Sequence, residues 1–158
     1  MSFYKFVQDT KNRPKEHKPL LSIDPGETCG WSYFKDYELS EVGEIKIDTQ
    51  DNTMLDGSPL WRLFETHSPA LVIVEGYRIY PHMTKQHTWN ALYTPKLIGY
   101  IEAICQHYGI KYTIQLASSK QFCTNEKLKQ WELYYAGRKH ANDAIRHACY
   151  YLLFNKGE

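Results

Sequence analysis

The sequence predicts an α/β domain: a mixed five-stranded sheet, three antiparallel strands followed by alternating β/α, with helices on its faces. Three observations lead there. Two short apolar runs, Leu20–Ile23 and Ala70–Val74, have the character of strands buried on both faces. Between them, residues 30–47 read as a meander, with Trp31, Tyr33, Val42, Ile45 and Ile47 at strand spacings and Lys35-Asp36 supplying a turn. Beyond residue 93, apolar positions recur at helical spacing on either side of one further strand, Ile110–Leu116.

In chain order, Met1–Pro19 is polar, basic and carries two prolines. It reads as a basic N-terminal arm or mobile lead-in, with 20–158 as the folded domain. Leu20–Ile23 is followed directly by Asp24, and Pro25-Gly26 breaks the strand. Thr53–Thr66 carries Leu55, Leu60, Leu63 and Phe64, compatible with a helix whose first turn is interrupted by Gly57 and Pro59. Ala70–Val74 ends in Glu75-Gly76, repeating the pattern of a buried strand and then an acid. Tyr77–His87 is a polar, basic and aromatic loop. Thr94-Pro95 opens a helix, and Leu97, Ile98, Ile101, Ile104, Cys105 and Tyr108 keep its spacing until Gly109 ends it. Ala117–Tyr135 is polar and helical in part. Gly137-Arg138-Lys139 is a basic break before a closing helix, His140–Phe154, striped by Ala144, Ile145, Ala148, Cys149, Leu152 and Leu153.

Bulk properties narrow the function classes. The 158 residues contain no central linker, so one domain with a substantial core is expected. A net charge of +1 gives no global basic field, although 1–19 and 111–139 are locally basic and 36–65 is acidic. Thirteen tyrosines suit a surface that meets nucleic-acid bases or a partner subunit, and equally a Tyr-rich core. Cys29, Cys105, Cys123 and Cys149 are far apart, which argues against zinc ribbons and thioredoxin-like motifs. Reduced thiols in a cytoplasmic protein are the expectation. No apolar run approaches the roughly 20 residues that span a bilayer, so no membrane partner is expected.

The chemistry concentrates in three places: Asp24 and Glu75 at strand ends, and His140 with Asp143 at the start of the last helix. Carboxyl ends of adjacent strands form the natural crevice of an open sheet. Residues three apart on a helix share a face, which brings His140 and Asp143 together. Gathered carboxylates repel, and a divalent cation resolves the repulsion. The oxygens suit Mg²⁺ or Mn²⁺, and the imidazole suits Mn²⁺ better. Each residue also has a plainer use. Asp24 before Pro25-Gly26 can cap its own turn, and Glu75 can pair with Arg78 or Lys85. His140 can be a helix-start histidine without a ligand, and Asp143 can answer the helix dipole.

Taken together, Ile23-Asp24-Pro25-Gly26 with Gly30-Trp31, Val74-Glu75 after an apolar strand, and His140-x-x-Asp143-Ala144 with Ala148 resemble the RuvC-type Holliday junction resolvases. Lys96-Leu97-Ile98-Gly99 is similar to their central helix, and the resemblance runs from about Leu20 to Leu153. It implies an RNase H-like fold, a homodimer, and cutting of four-way DNA junctions with two Mg²⁺ or Mn²⁺ ions per site. It places Asp24, Glu75, His140 and Asp143 on the four metal-ligand positions, where the family carries Asp or His at the position of His140. Lys120 falls near a basic residue that the family uses at the scissile phosphate. The arm 1–19 has no counterpart in the family, and the loop Tyr77–Trp89 does not match it clearly.

The expected function is therefore a metal-dependent endonuclease that resolves four-way DNA junctions by paired symmetric nicks, leaving 5′-phosphate and 3′-hydroxyl ends through two-metal hydrolysis. Arg78, Lys85, Lys120, Arg138 and Lys139 are expected on phosphates, and Tyr77, Tyr80 and Trp89 on opened bases. A solvated loop and ordinary aromatic packing account for the same residues. Cys29 has no activating histidine beside it in sequence and is not expected to be a nucleophile. The helix from Pro95 to Tyr108 has apolar residues on several faces, which fits a dimer interface or burial against the sheet. Three other readings remain: a broader branched-DNA endonuclease, a non-catalytic DNA-binding module, and a fragment of an actin-like ATPase. The last shares Asp-Pro-Gly after a strand but needs a second nucleotide-binding half; no nucleotide cofactor is expected.

Overall fold

The computed structural model describes residues 1–48, 54–77 and 93–155. The strands are β1 (Leu20–Asp24), β2 (Thr28–Lys35), β3 (Glu38–Lys46), β4 (Leu71–Glu75) and β5 (Lys111–Gln115). The helices are α1 (Phe3–Lys11), α2 (Ser58–His67), α3 (Tyr93–Tyr108), α4 (Asn125–Gln130) and α5 (Lys139–Phe154), with a 3-10 segment at Ala117–Phe122. One sheet runs in the order β3-β2-β1-β4-β5. The first three strands form the antiparallel meander, and β1, β4 and β5 are parallel. This is the mixed five-stranded architecture that the sequence predicts.

Alternation along the strands divides the core into two layers. Leu21, Ile23, Val72 and Val74 face one cluster with Leu60, Phe64, Leu97, Ile101 and Ile104 of α2 and α3. Leu20, Leu71 and Ile73 face the other, with Ile145, Ala148, Cys149 and Leu152 of α5. The α2 helix begins at Ser58, later than the apolar spacing suggests, with Gly57 at its N-cap and proline in its first turn. Thr94 lies inside the first turn of α3, not at its cap. Gly109, at φ +67°, ends α3 in the left-handed conformation that glycine adopts without strain. Among the described residues, no helix is long and apolar enough to cross a membrane.

The segment 1–19 is not a mobile lead-in throughout. Residues 3–11 form a helix, capped at Ser2 by a side-chain bond from the Lys5 amide and closed by Asn12 at φ 47°. Phe3 and Val7, one turn apart, are buried in the α5-side cluster. The Phe3 ring meets Phe34 and Trp131 edge-on, at centroid distances of 6.2 and 5.0 Å. Two buried apolar residues in nine are too few to announce a docked helix. They suffice because Phe34 and Trp131 supply the wall.

Phe3→Ala is expected to lower global stability by about 3 kcal/mol in chemical denaturation, the usual cost of emptying a buried aromatic site. A mobile arm would show almost no change.

Candidate active site

The same alternation that builds the core aims the polar strand ends. Asp24 follows Leu20 and Ser22 on one side of β1, and Glu75 follows Leu71 and Ile73 on the same side of β4. Gln115 pairs with Glu75 across β4 and β5. All three reach the face that α5 covers.

The first turn of α5 lies directly on β2. A Cβ on Gly30 would sit 1.9 Å from the His140 carbonyl oxygen, so only glycine permits this approach. Glu44, opposite Gly30 on β3, accepts from the His140 and Ala141 amides at 3.1 and 3.2 Å. That carboxylate does the work of a side-chain cap, which Arg138 at the N-cap does not supply. The result fixes His140 and Asp143 beside the strand ends. His140 Nδ1 lies 3.3 Å from Asp24 Oδ2, with the imidazole 44% exposed at the rim. Asp143 is buried.

Lys120, from the 3-10 segment, closes the group. Its Nζ donates to Glu75 Oε1 at 3.2 Å, more weakly to Oε2 at 3.5 Å, and to Asp143 Oδ2 at 3.3 Å. Burial works against the ammonium, but Glu75, Asp143 and Asp24 outweigh it and raise its pKa. The other oxygen of Asp143 accepts from Arg146, whose Nε also donates to the Cys123 carbonyl at 3.0 Å. His147, fully buried, bonds Glu75 Oε2 through Nε2 at 3.0 Å.

Asp24 and Glu75 respond in opposite directions. Burial, then the charges of Glu75 and Asp143, pushes the Asp24 carboxyl up to about 8. Burial also opposes the charge on Glu75, but the His147 hydrogen bond and the Lys120 ammonium hold it low, at about 2. Cys29 bonds the Gly26 carbonyl, and burial raises its thiol to about 11, which leaves it inert. Among the described residues, no three His, Cys, Asp or Glu side chains stand close enough to hold one ion as placed. Glu75 and Asp143 close instead on the Lys120 ammonium, and Asp24 faces His140.

Of the residues singled out from sequence, Asp24, Glu75, His140, Asp143 and Lys120 come together. Arg138 and Lys139 are exposed at the start of α5 and line a cavity of about 390 Å³ with Asn125, Tyr134 and Arg146. Tyr77 is half-buried against the α2–α3 cluster. Arg78, Tyr80, Lys85 and Trp89 lie outside the described residues. Sequence reasoning missed Gln115, Arg146, His147 and Glu44. His147 was within reach, since it falls four residues after Asp143 on the same helical face. Gln115 repeats the polar strand end of Asp24 and Glu75. Glu44 carries no local signal.

The backbone that holds this group is a known one. RuvC of T. thermophilus, solved in complex with Holliday junction substrate, superposes with a TM-score of 0.65 at 15% identity, covering 87% of this chain and 94% of that one. The chain has the RNase H-like fold of the Holliday junction resolvases. Fowlpox virus resolvase, solved with Holliday junction DNA, matches with a TM-score of 0.58 at 12% identity over 85% of this chain and 96% of the viral one. The yeast mitochondrial Holliday junction resolvase gives 0.50 at 10% identity over 94% and 82%. No protein-family model and no curated protein sequence matches the chain.

In metal-free protein the Asp24 shift has a thermodynamic signature. A carboxyl raised in the fold favours the fold most while protonated, so its contribution is complete below its ordinary value of 3.8 and is lost as pH rises through about 8. Glu75 acts at the other end: its contribution is present above its ordinary 4.5 and is lost as pH falls toward about 2. Thermal midpoints of metal-free wild type are therefore expected to fall from about pH 4 to 8, and Asp24→Asn is expected to flatten that limb. An equal slope in the variant would assign the titration elsewhere.

Proposed function

We propose that this protein is a divalent-metal-dependent endonuclease that resolves four-way DNA junctions, acting as a homodimer. One observation carries the reading: at the ends of β1 and β4 and the start of α5, Glu75 and Asp143 share a single ammonium and the Asp24 carboxyl is pushed up by burial and by their charges, within the fold of the junction resolvases. The donor set fits hard divalent cations. Asp24, Glu75 and Asp143 offer oxygens, His140 offers an imidazole at the open rim, and the place between them already draws a positive charge.

Asp24, Glu75, His140 and Asp143 would hold two Mg²⁺ or Mn²⁺ ions. Such ions, when bound, supply Lewis acidity to a phosphodiester and make water a nucleophile near neutral pH. The chain's own residues do the rest. Arg146 and His147 keep Asp143 and Glu75 aimed into the cleft. Lys120, on a flexible stem with a raised pKa, keeps its charge and is free to move from the carboxylates to a phosphate oxygen. Arg138 and Lys139, exposed just before His140 at the start of α5, are the proposed cations for the DNA backbone. The residues expected on the loop after β4 (Arg78, Tyr80, Lys85, Trp89) belong to the same proposal, with Tyr77 at its base. A homodimer would present two such sites for paired, symmetric nicks.

The test is cleavage of a labelled four-way junction, beside duplex and flap controls, in Mg²⁺ and in Mn²⁺. Wild type is expected to give paired nicks at the junction, and Asp24→Asn to lose about 10³-fold or more in rate. Equal cutting of flaps and duplex would leave a nuclease of wider range on branched DNA. Absence of cutting by wild type in either metal would overturn the enzymatic reading in favour of a DNA-binding module.

A further inference from the structure

His147 and Gln115 form a buried pair behind the carboxylates, and their chemistry can be worked out atom by atom. The Gln115 amide nitrogen lies 3.1 Å from the His147 carbonyl oxygen and 2.8 Å from His147 Nδ1. A carbonyl oxygen only accepts, so the group facing it must be the NH₂ end of the amide. That nitrogen only donates, so Nδ1 of His147 is an acceptor and carries no proton. The ring hydrogen is then on Nε2, which lies 3.0 Å from Glu75 Oε2. Both residues are buried, His147 completely, so no solvent competes for these bonds.

Glu75 is thus divided. Oε2 is engaged by His147 at 3.0 Å and only weakly by Lys120 at 3.5 Å, whereas Oε1 is met by Lys120 alone at 3.2 Å. We infer that His147, locked in its Nε2–H tautomer by Gln115, is a positioning residue that fixes the Glu75 carboxylate with one oxygen turned to the cation site. The inference rests on the proposed role of Asp24, Glu75, His140 and Asp143 as that site. His147 is fully buried, so it acts through Glu75. Hydrogen-bonded partners behind a carboxylate ligand are typically worth about 10–100-fold in metal affinity or activity.

The experiment uses the full chain and three readouts. Long-range ¹H–¹⁵N spectra of the metal-free wild type are expected to show His147 protonated on Nε2 alone; a proton on Nδ1 would overturn the inference without any variant. Mn²⁺ titration is then compared for wild type, His147→Phe, which keeps a ring without the donor, and His147→Gln, which can present an N–H near the same place. His147→Phe is expected to bind Mn²⁺ about 10–100-fold more weakly and His147→Gln to recover most of the loss. Junction cleavage is expected to follow in kcat, with KM for the junction unchanged. Equal losses in both variants, or wild-type affinity in His147→Phe, would overturn the inference. Where His147→Phe does not fold, Gln115→Leu replaces it, with a smaller loss expected because only the tautomer lock is removed; no loss there is overturning too. A wild type that binds no Mn²⁺ at all would bring down the cation site itself, and this inference with it.

Discussion

Like charge held in one place is the constraint on which the arrangement depends. Two carboxylates on the order of 4 Å apart repel by about 4 kcal/mol at an effective dielectric of 20. Here Asp24, Glu75 and Asp143 are brought together at the end of a sheet with little water to relieve them. The protein meets this in two ways. Asp24 holds its proton up to about pH 8, and Lys120 places an ammonium between Glu75 and Asp143. Both are forms of positive charge that a divalent cation can replace. A site that served packing alone would not gather a charge it must then neutralise twice.

The scaffold commits residues to this convergence. α5 lies close on β1 and β2 because the surface beneath it is low: Gly30 under the first turn, Ser22 opposite Ser32 beyond it, and Ala141, Ala144 and Ala148 on the helix. Both serine hydroxyls are buried without a hydrogen-bond partner, a cost of about 1–3 kcal/mol each. Their size is what the approach requires, since a larger residue would lift α5 and draw Asp143 away from Glu75. Buried residues of α5 also share one cluster with Phe3 and Val7 of α1 and with Trp131 and Leu133.

Much of this was legible in the chain, and for a physical reason. Strands buried on both faces write themselves as apolar runs, and an acid directly after such a run stands out, as Asp24 and Glu75 do. The stripe of α5 likewise exposes its period. What escaped depends on partners distant in sequence. α1 has only Phe3 and Val7 to bury, and the residues that receive them come from β2 and from the segment before α5. Glu44 caps a helix 96 residues further on, a pairing no local rule encodes. His147 sits inside the apolar stripe of α5 and reads as one more core position until β4 brings Glu75 beside it.

Lys120 and Asp143 also share an anchor, and this decides how the site can change state. Arg146 reaches from α5 to Asp143, to the Cys123 carbonyl and to Asn125, and so laces the helix to the segment that delivers Lys120. It holds one oxygen of Asp143 while Lys120 holds the other. Lys120 is 30% exposed on a flexible stem, whereas the Arg146 fork is fixed at all three nitrogens. If the ammonium leaves for a phosphate, Asp143 keeps its aim through Arg146, just as Glu75 keeps its own through His147. Glu75 and Asp143 are therefore held from behind, and a movable charge is in front. On the proposed reading that is the order of events a junction nuclease needs: a cleft kept neutral when empty, and ligands that need not reorganise when the cation and the DNA arrive.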